Sequence, residues 1–253
     1  MRRVIYTGNF SINWDYFQGV QGWHIKNMWA MYNYGKRHGA DFRVIDNSNR
    51  LMQSFYDSCM EYSNGKIGGW GIGAFSSLFA LKDFIRGDYD EFCWLDLDIC
   101  IKKTDISIFG ALNKGCLTVE SYKVIHDSEN TKKTFVQDFF NLEHTRWCGT
   151  GVVLLDKPTA WKIFNFLEEK YYVYLDSCFA QELCDFLMRA DYLINDEHIF
   201  EGIINSDIVP TVNIPGEYRP HIVYPGDIAD PTMDVWGFHF AGTTKNQIES
   251  FQL

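Results

Sequence analysis

The sequence has no excess of basic charge. Its 253 residues carry 23 Lys and Arg against 33 Asp and Glu, a formal net charge of -10, and the pI is near 5.1. Non-specific nucleic-acid binding needs a basic footprint that neutralises phosphates, so no nucleic-acid partner is expected, although a local basic pocket is allowed. There is no CxxC pair among the seven cysteines at 59, 93, 100, 116, 148, 178 and 184. Several sit in apolar runs such as Phe92-Cys93-Trp94 and Ile99-Cys100-Ile101. They read as buried reduced thiols of a cytosolic chain, not as disulfides or a zinc site. No stretch approaches 18 uncharged apolar residues, which excludes a helical membrane span. The start, Met1-Arg2-Arg3-Val4-Ile5-Tyr6, runs into a strand pattern without the apolar region of a secretion signal, so the expected location is cytoplasmic and the sequon Asn9-Phe10-Ser11 is expected to be unused. GxSxG, HExxH and P-loop patterns are absent, as are internal repeats and low-complexity linkers.

What is there is an apolar, ring-rich chain. Hydrophobic residues make up 46%, with 20 Phe, 14 Tyr and 8 Trp. Most such rings fill cores, and some are available to stack on a base or a sugar. Strand patterns run over Val4 to Asn9, Phe42 to Asp46, Phe92 to Ile101, Cys116 to Glu120, Val152 to Leu155 and Val235 to Ala241. Helical spacing runs over Val20 to Arg37, Ala74 to Arg86, Thr159 to Lys170, Leu175 to Ala190 and Glu197 to Ile204. The glycine-rich stretch Lys66 to Gly73 is not GxGxxG and reads as a mobile loop. Pro210, Pro215 and Pro220 mark an irregular segment. The strand, helix, strand order at the start implies a parallel pair, and the whole is expected to be one α/β domain with a mixed central sheet flanked by helices.

The central observation is Phe92-Cys93-Trp94-Leu95-Asp96-Leu97-Asp98-Ile99-Cys100-Ile101. Read as one strand, it places Asp96 and Asp98 on the same face. Two carboxylates in apolar surroundings repel and lose hydration, and a divalent cation offsets both costs. Oxygen ligands suit Mg²⁺ or Mn²⁺. The alternative is a strand end where both reach water or a buried Arg. The strand runs out at Lys102-Lys103-Thr104, and sites of open α/β sheets lie at the carboxyl ends of strands.

Around this pair the chain resembles the GT-A-fold glycosyltransferases. Asp88-Tyr89-Asp90-Glu91-Phe92-Cys93-Trp94-Leu95-Asp96-Leu97-Asp98-Ile99 is similar to their DxD segment. Cys148-Gly149-Thr150-Gly151-Val152-Val153-Leu154-Leu155-Asp156 resembles a following N-T-G segment, with Cys-Gly in place of the Asn. Asn195-Asp196-Glu197-His198 resembles the acceptor-side segment. Gly237-Phe238-His239-Phe240-Ala241-Gly242-Thr243-Thr244-Lys245 resembles the C-terminal H-F-x-G-x-x-K of the glycogenin and lipopolysaccharide-galactosyltransferase type, without the Pro-Trp that usually follows. Length and overall pattern also resemble small glycosyltransferases encoded by large viruses of algae.

The resemblance implies a single GT-A-like, Rossmann-like domain, with residues 1–120 as the nucleotide-sugar half and 121–253 as the acceptor half. It implies a nucleotide-sugar donor, UDP favoured, and a glycan or other hydroxyl acceptor. Asp98 would be a metal ligand and Asp96 would be shared between metal and donor. His239 would complete the set, and imidazole beside carboxylates favours Mn²⁺ over Mg²⁺. Gly242 and Lys245 would meet the diphosphate, Lys245 as a point charge. Tyr6, Thr7 and Asn9 would line the base and ribose pocket, with Tyr6 either stacking on uracil or packed in the strand. Lys82 would be a donor contact or lie on a solvated helix face. Asp196 and Glu197 are the catalytic candidates, with Asn195 or Asp196 also a helix cap. Retention or inversion stays open. Two other readings fit less of the sequence. A sugar nucleotidyltransferase would carry a glycine-rich basic loop after the first strand, where Phe10 to Tyr16 has neither. A non-catalytic carbohydrate-binding module would not need Asp96, Asp98, His239 and Lys245 together.

Overall fold

The computed structural model describes residues 1–9, 22–46, 48–64, 75–123, 130–171, 185, 195–240 and 247–248. Its centre is a six-stranded mixed sheet in the order β2-β1-β3-β6-β5-β7. The strands are β1 (Arg3–Asn9), β2 (Ala40–Asp46), β3 (Glu91–Leu95), β5 (Leu117–Lys123), β6 (Arg146–Asp156) and β7 (Thr211–Asn213). β2, β1 and β3 run parallel, and β6 is antiparallel to β3 and to β5. A second sheet, β4-β9-β8, joins β4 (Ile99–Ile101), β9 (Gly237–Phe240) and β8 (His221–Val223).

The hydrophobic pattern explains this layering. β3 is buried throughout and β1 everywhere but at its two ends, as strands covered on both faces must be. One face packs Tyr6, Phe92 and Trp94 against helices α2 (Arg50–Ser63), α3 (Ser76–Arg86) and α6 (Asp196–Asn205). The other packs Ile5, Cys93 and Leu95 against α1 (Trp23–Arg37) and a short 3₁₀ turn at Ile108–Ala111. α4 (Asn130–Phe140) and α5 (Lys157–Tyr171) complete the first layer. Most of the described aromatics fill these cores, with Phe55, Phe75, Phe79, Phe84, Phe92, Phe135 and Phe140 fully buried. Among the described residues no disulfide forms, and cysteines 59, 93, 100, 116 and 148 remain thiols. Burial pushes the Cys93 thiol up and the Cys100 thiol up to about 12, which keeps both in the unreactive protonated form.

The observed elements depart from the sequence reading in instructive places. Phe92 to Ile101 is not one strand. The Asp96 amide donates to the Gly151 carbonyl at 2.9 Å and the Ile99 amide to the Asp96 carbonyl at 3.0 Å, so the chain turns at Asp96-Leu97-Asp98 and enters the second sheet. β6 begins at Arg146, six residues earlier than the run of branched side chains suggested, because Gly149, Thr150 and Gly151 disguise it. α2 and α4 were not anticipated. In α2 the buried side chains Met52, Phe55 and Cys59 do follow helical spacing, on a helix without acidic residues in its first turn or basic ones in its last. The Lys66 to Gly73 stretch and the helix expected over Leu175 to Ala190 lie outside the described residues, Asp185 excepted. Among the described residues no helix is long and apolar enough to cross a membrane.

One packing contact reverses a usual rule. Ala is better than Gly in a helix interior by about 1 kcal/mol, but a Cβ on Gly202 of α6 would run into the ring of Phe140, which is fully buried. Gly202→Ala is therefore expected to destabilise the protein, by about 1–3 kcal/mol as overpacking does. Urea unfolding of the two proteins measures it, and a stabilised variant would contradict the packing described.

Candidate functional site

The site forms where the two sheets part. In β4 and β9, Ile99 pairs with His239, and the Phe240 amide donates to the Asp98 carbonyl at 3.1 Å. This pairing carries the His239 ring to the Asp96–Asp98 turn: Nε2 lies 3.2 Å from Asp98 Oδ1 and 3.6 Å from Asp96 Oδ2. One ligand atom from each of Asp96, Asp98 and His239 falls within 4.8 Å of the others.

The turn is tied down from several directions. The Trp94 indole, two residues before Asp96 on the same strand face, donates to Asp96 Oδ1 at 2.7 Å. Buried Asn27 of α1 donates to the carbonyls of Leu97 at 2.6 Å and Ile99 at 2.8 Å. β6 contributes a bulge. β5 pairs Val119 with Val153 and Glu120 with Gly149, so Thr150, Gly151 and Val152 have no opposite number in β5. Bulges of this kind re-aim the chain beside functional sites. Here Gly151 is pressed against the cluster: a Cβ on it would lie 2.7 Å from His239 Cε1 and 3.6 Å from Asp96 Oδ2.

α6 brings two further carboxylates. Its N-cap is Asn195, whose side chain accepts from the His198 backbone amide while its own backbone amide donates to His198 Nδ1 at 3.3 Å, a capping box. Asp196 and Glu197 open the first turn. Asp196 is buried and accepts hydrogen bonds from Ser77 Oγ and, at 3.3 Å, Thr150 Oγ1. Desolvation, then the charge of Asp96, push its carboxyl well above the usual range. For Asp96, desolvation and then the Asp98 charge raise the carboxyl to about 6, against the pull of His239 and the Trp94 bond, and Glu197 adds a further repulsion. Four carboxylates from two segments distant in sequence thus lie close together, with one imidazole from a third.

The other anticipated contacts fall differently. Tyr6 is fully buried in mid-strand, its ring against Phe92 and its hydroxyl donating to Asp83 at 2.6 Å, so it is packed in the core rather than offered to a base. Thr7 is buried beside it, and Asn9 is half-buried at the end of β1. Lys82 is buried on α3, not on a solvated helix face. Gly242 and Lys245 lie outside the described residues. Trp94, Asn27, Ser77 and Gly151 were not singled out from the sequence. Only the last left a signal there, as one of two glycines flanking a threonine beside a strand pattern, which marks a bulge or a close backbone approach.

No family model and no curated protein matches the sequence. Solved structures do match in shape. A glycosyltransferase involved in the glycosylation of the major capsid of PBCV-1 superposes over 100% of both chains at 12% identity and a TM-score of 0.50. Mouse xyloside xylosyltransferase 1 superposes over 96% of this chain and 99% of its own at 10% identity and a TM-score of 0.51. The chain has the GT-A fold, as the sequence resemblance implied, with the Asp96, Asp98 and His239 cluster where its two sheets part.

The raised Asp96 carboxyl sets the sign of a pH effect. The metal-free folded protein keeps this proton to about pH 6, whereas the unfolded chain releases it near 4. Folding therefore binds more protons in that window, and stability falls as pH rises through it. Asp96→Asn keeps the Trp94 bond and removes the charge. In the presence of a chelator it is expected to raise the melting temperature at pH 7 and to raise it by less at pH 5, midway through the window. Thermal unfolding at the two pH values checks this, and equal effects at both would contradict the electrostatic account.

Proposed function

We propose that the protein is a glycosyltransferase that transfers a sugar from a nucleotide-diphosphate sugar, UDP favoured, to a glycan or other hydroxyl acceptor. The observation that carries this is the convergence of Asp96, Asp98 and His239 on one point of a GT-A fold, with Asp196 and Glu197 beside it. The donor set suits a divalent cation. Two carboxylate oxygens and an imidazole nitrogen lie within 4.8 Å of one another, the like charges repel in its absence, and the mixed oxygen and nitrogen set favours Mn²⁺ over Mg²⁺. When bound, such an ion neutralises the growing charge of a departing nucleoside diphosphate.

The chain's own residues have separable tasks. Asp98 and His239 hold the ion, and Asp96, oriented by Trp94, is shared between ion and donor. Asn27 fixes the turn so that both carboxylates meet the donor without rearrangement, which is where preorganised electrostatics gain most. Thr7, Asn9 and Lys82 belong to the donor side, with Gly242 and Lys245 at the diphosphate. Asp196 is held by Ser77 and Thr150 and favours its protonated form, so it is suited to hydrogen-bonding the donor sugar. Glu197, half-buried next to it, is the group better placed to take the proton of an acceptor hydroxyl or to support the opposite face of the sugar. A non-catalytic sugar-binding module would bind without releasing nucleotide, and a nucleotidyltransferase would make the sugar nucleotide instead of consuming it.

Calorimetry of UDP and of GDP, each with and without Mn²⁺, tests the donor site. One nucleotide is expected to bind in a metal-dependent manner, and Asp98→Ala is expected to weaken it at least tenfold. Binding of neither nucleotide under any metal condition would overturn the proposal.

A further inference from the structure

Cys148 and Thr150 both face α6: the Cys148 thiol approaches the Glu197 carbonyl at 3.9 Å and the Thr150 hydroxyl reaches Asp196. Side chains alternate along a strand, so Gly149 and Gly151 share the opposite face of β6. Gly151 is required there, because the His239 ring occupies the space its Cβ would need. Gly149 is not. It has no positive φ, and a Cβ built on it would meet Glu120 Oε2 at 3.6 Å and the edge of the Trp147 ring at 3.8 Å, ordinary van der Waals distances. Neither backbone conformation nor packing demands a glycine at 149, yet glycine weakens a strand. Among the described residues there is room for a methyl group at this point, so the backbone at 149 is open to close approach by a ligand.

The surroundings define what that is. The bulge aligns Glu120 with Gly149. Arg219 lies 3.6 Å from Glu120 Oε1, with side-chain exposures of 42% and 14%, and Trp147 and Gly149 are likewise half-buried. A carboxylate, a guanidinium and an indole edge thus surround a floor without a side chain. The pair offers directional acceptors and donors for hydroxyl groups, and the indole offers an apolar surface with a polar tip. That combination suits a sugar ring, which has an apolar C–H face and a hydroxyl rim. Gly149 stands two residues, roughly 7 Å, along the strand from Gly151 at the Asp96 and His239 cluster.

We infer that the open face of β6 around Gly149, bounded by Trp147, Glu120 and Arg219, is the acceptor subsite and takes a pyranose ring. The inference rests on the glycosyl-transfer reading and adds the acceptor's chemical class and place. The probes are the methyl glycosides of glucose, galactose, mannose, xylose, fucose and rhamnose, presented to protein loaded with Mn²⁺ and the nucleotide it binds. Binding is read by saturation-transfer NMR, and transfer from the matching sugar nucleotides by mass spectrometry. At least one glycoside is expected to bind and to be glycosylated. Gly149→Ala, whose methyl group occupies the floor without a clash, is expected to raise the KM for that glycoside at least tenfold. Trp147→Ala is expected to do the same and Trp147→Phe less, with nucleotide affinity within twofold in all three. Two results would overturn the subsite: an unchanged glycoside KM in Gly149→Ala and Trp147→Ala, or nucleotide binding by the wild type with no glycoside bound or glycosylated. Absence of nucleotide binding itself would instead remove the glycosyl-transfer reading on which the subsite depends.

Discussion

The mutual repulsion of Asp96 and Asp98 is the constraint on which the rest of the structure turns. Two carboxylates on adjacent corners of one turn, with Asp196 and Glu197 close by, cannot all be ionised at low cost in a partly dry pocket. The fold accepts this cost and spreads its restraints around it. Trp94 anchors one oxygen of Asp96, Asn27 holds the carbonyls on either side of Asp98, and Ser77 and Thr150 hold Asp196. Groups that would relax apart in a flexible loop are kept together by α1, α3, β3 and β6 at once. A cluster of this kind is one whose stability is regained when a cation enters.

The two-sheet layout supplies the remaining piece. Were β3 to continue straight, as its sequence alone suggests, Asp98 would stay in the main sheet and His239 would have no route to it. The turn at Asp96-Leu97-Asp98 sends the chain into β4, and the antiparallel pairing of β4 with β9 delivers His239 from near the end of the described chain. The bulge in β6 is the counterpart on the other side. It lets the strand remain paired with β3 through Val152 while Gly151 approaches the imidazole. Secondary structure and cluster are therefore one construction: the irregularities in β3 and β6 are where the carboxylates and the imidazole meet.

How much of this could be read from the sequence follows from the range of each interaction. Asp96, Asp98, His239, Asp196 and Glu197 were each legible, because they stand in short local patterns with recognisable neighbours, and the structure brings all five together. The parallel start of the sheet was legible from the strand, helix, strand order of the first elements. The break in β3 was not, since Ile99-Cys100-Ile101 has the same strand character as Phe92-Cys93-Trp94, and only the backbone bonds of Asp96 to Gly151 and of Ile99 to Asp96 reveal the turn. Asn27 and Ser77 were invisible because their partners lie 70 to 119 residues away, and a polar residue on a helix carries no local mark of what it will meet. Tyr6 shows the converse: its strand position was legible, but its hydroxyl is bound to Asp83 in another element, which places it in the core.

The central claim, that the Asp96–Asp98 turn and His239 form one cation site, is tested most directly by anomalous diffraction from crystals of the protein grown with Mn²⁺ and UDP. The account predicts a single manganese peak within coordinating distance of an Asp98 carboxylate oxygen and a His239 ring nitrogen, with Asp96 alongside and no such peak in Asp98→Ala. A manganese peak elsewhere with this cluster empty, or a peak that persists in Asp98→Ala, would contradict it.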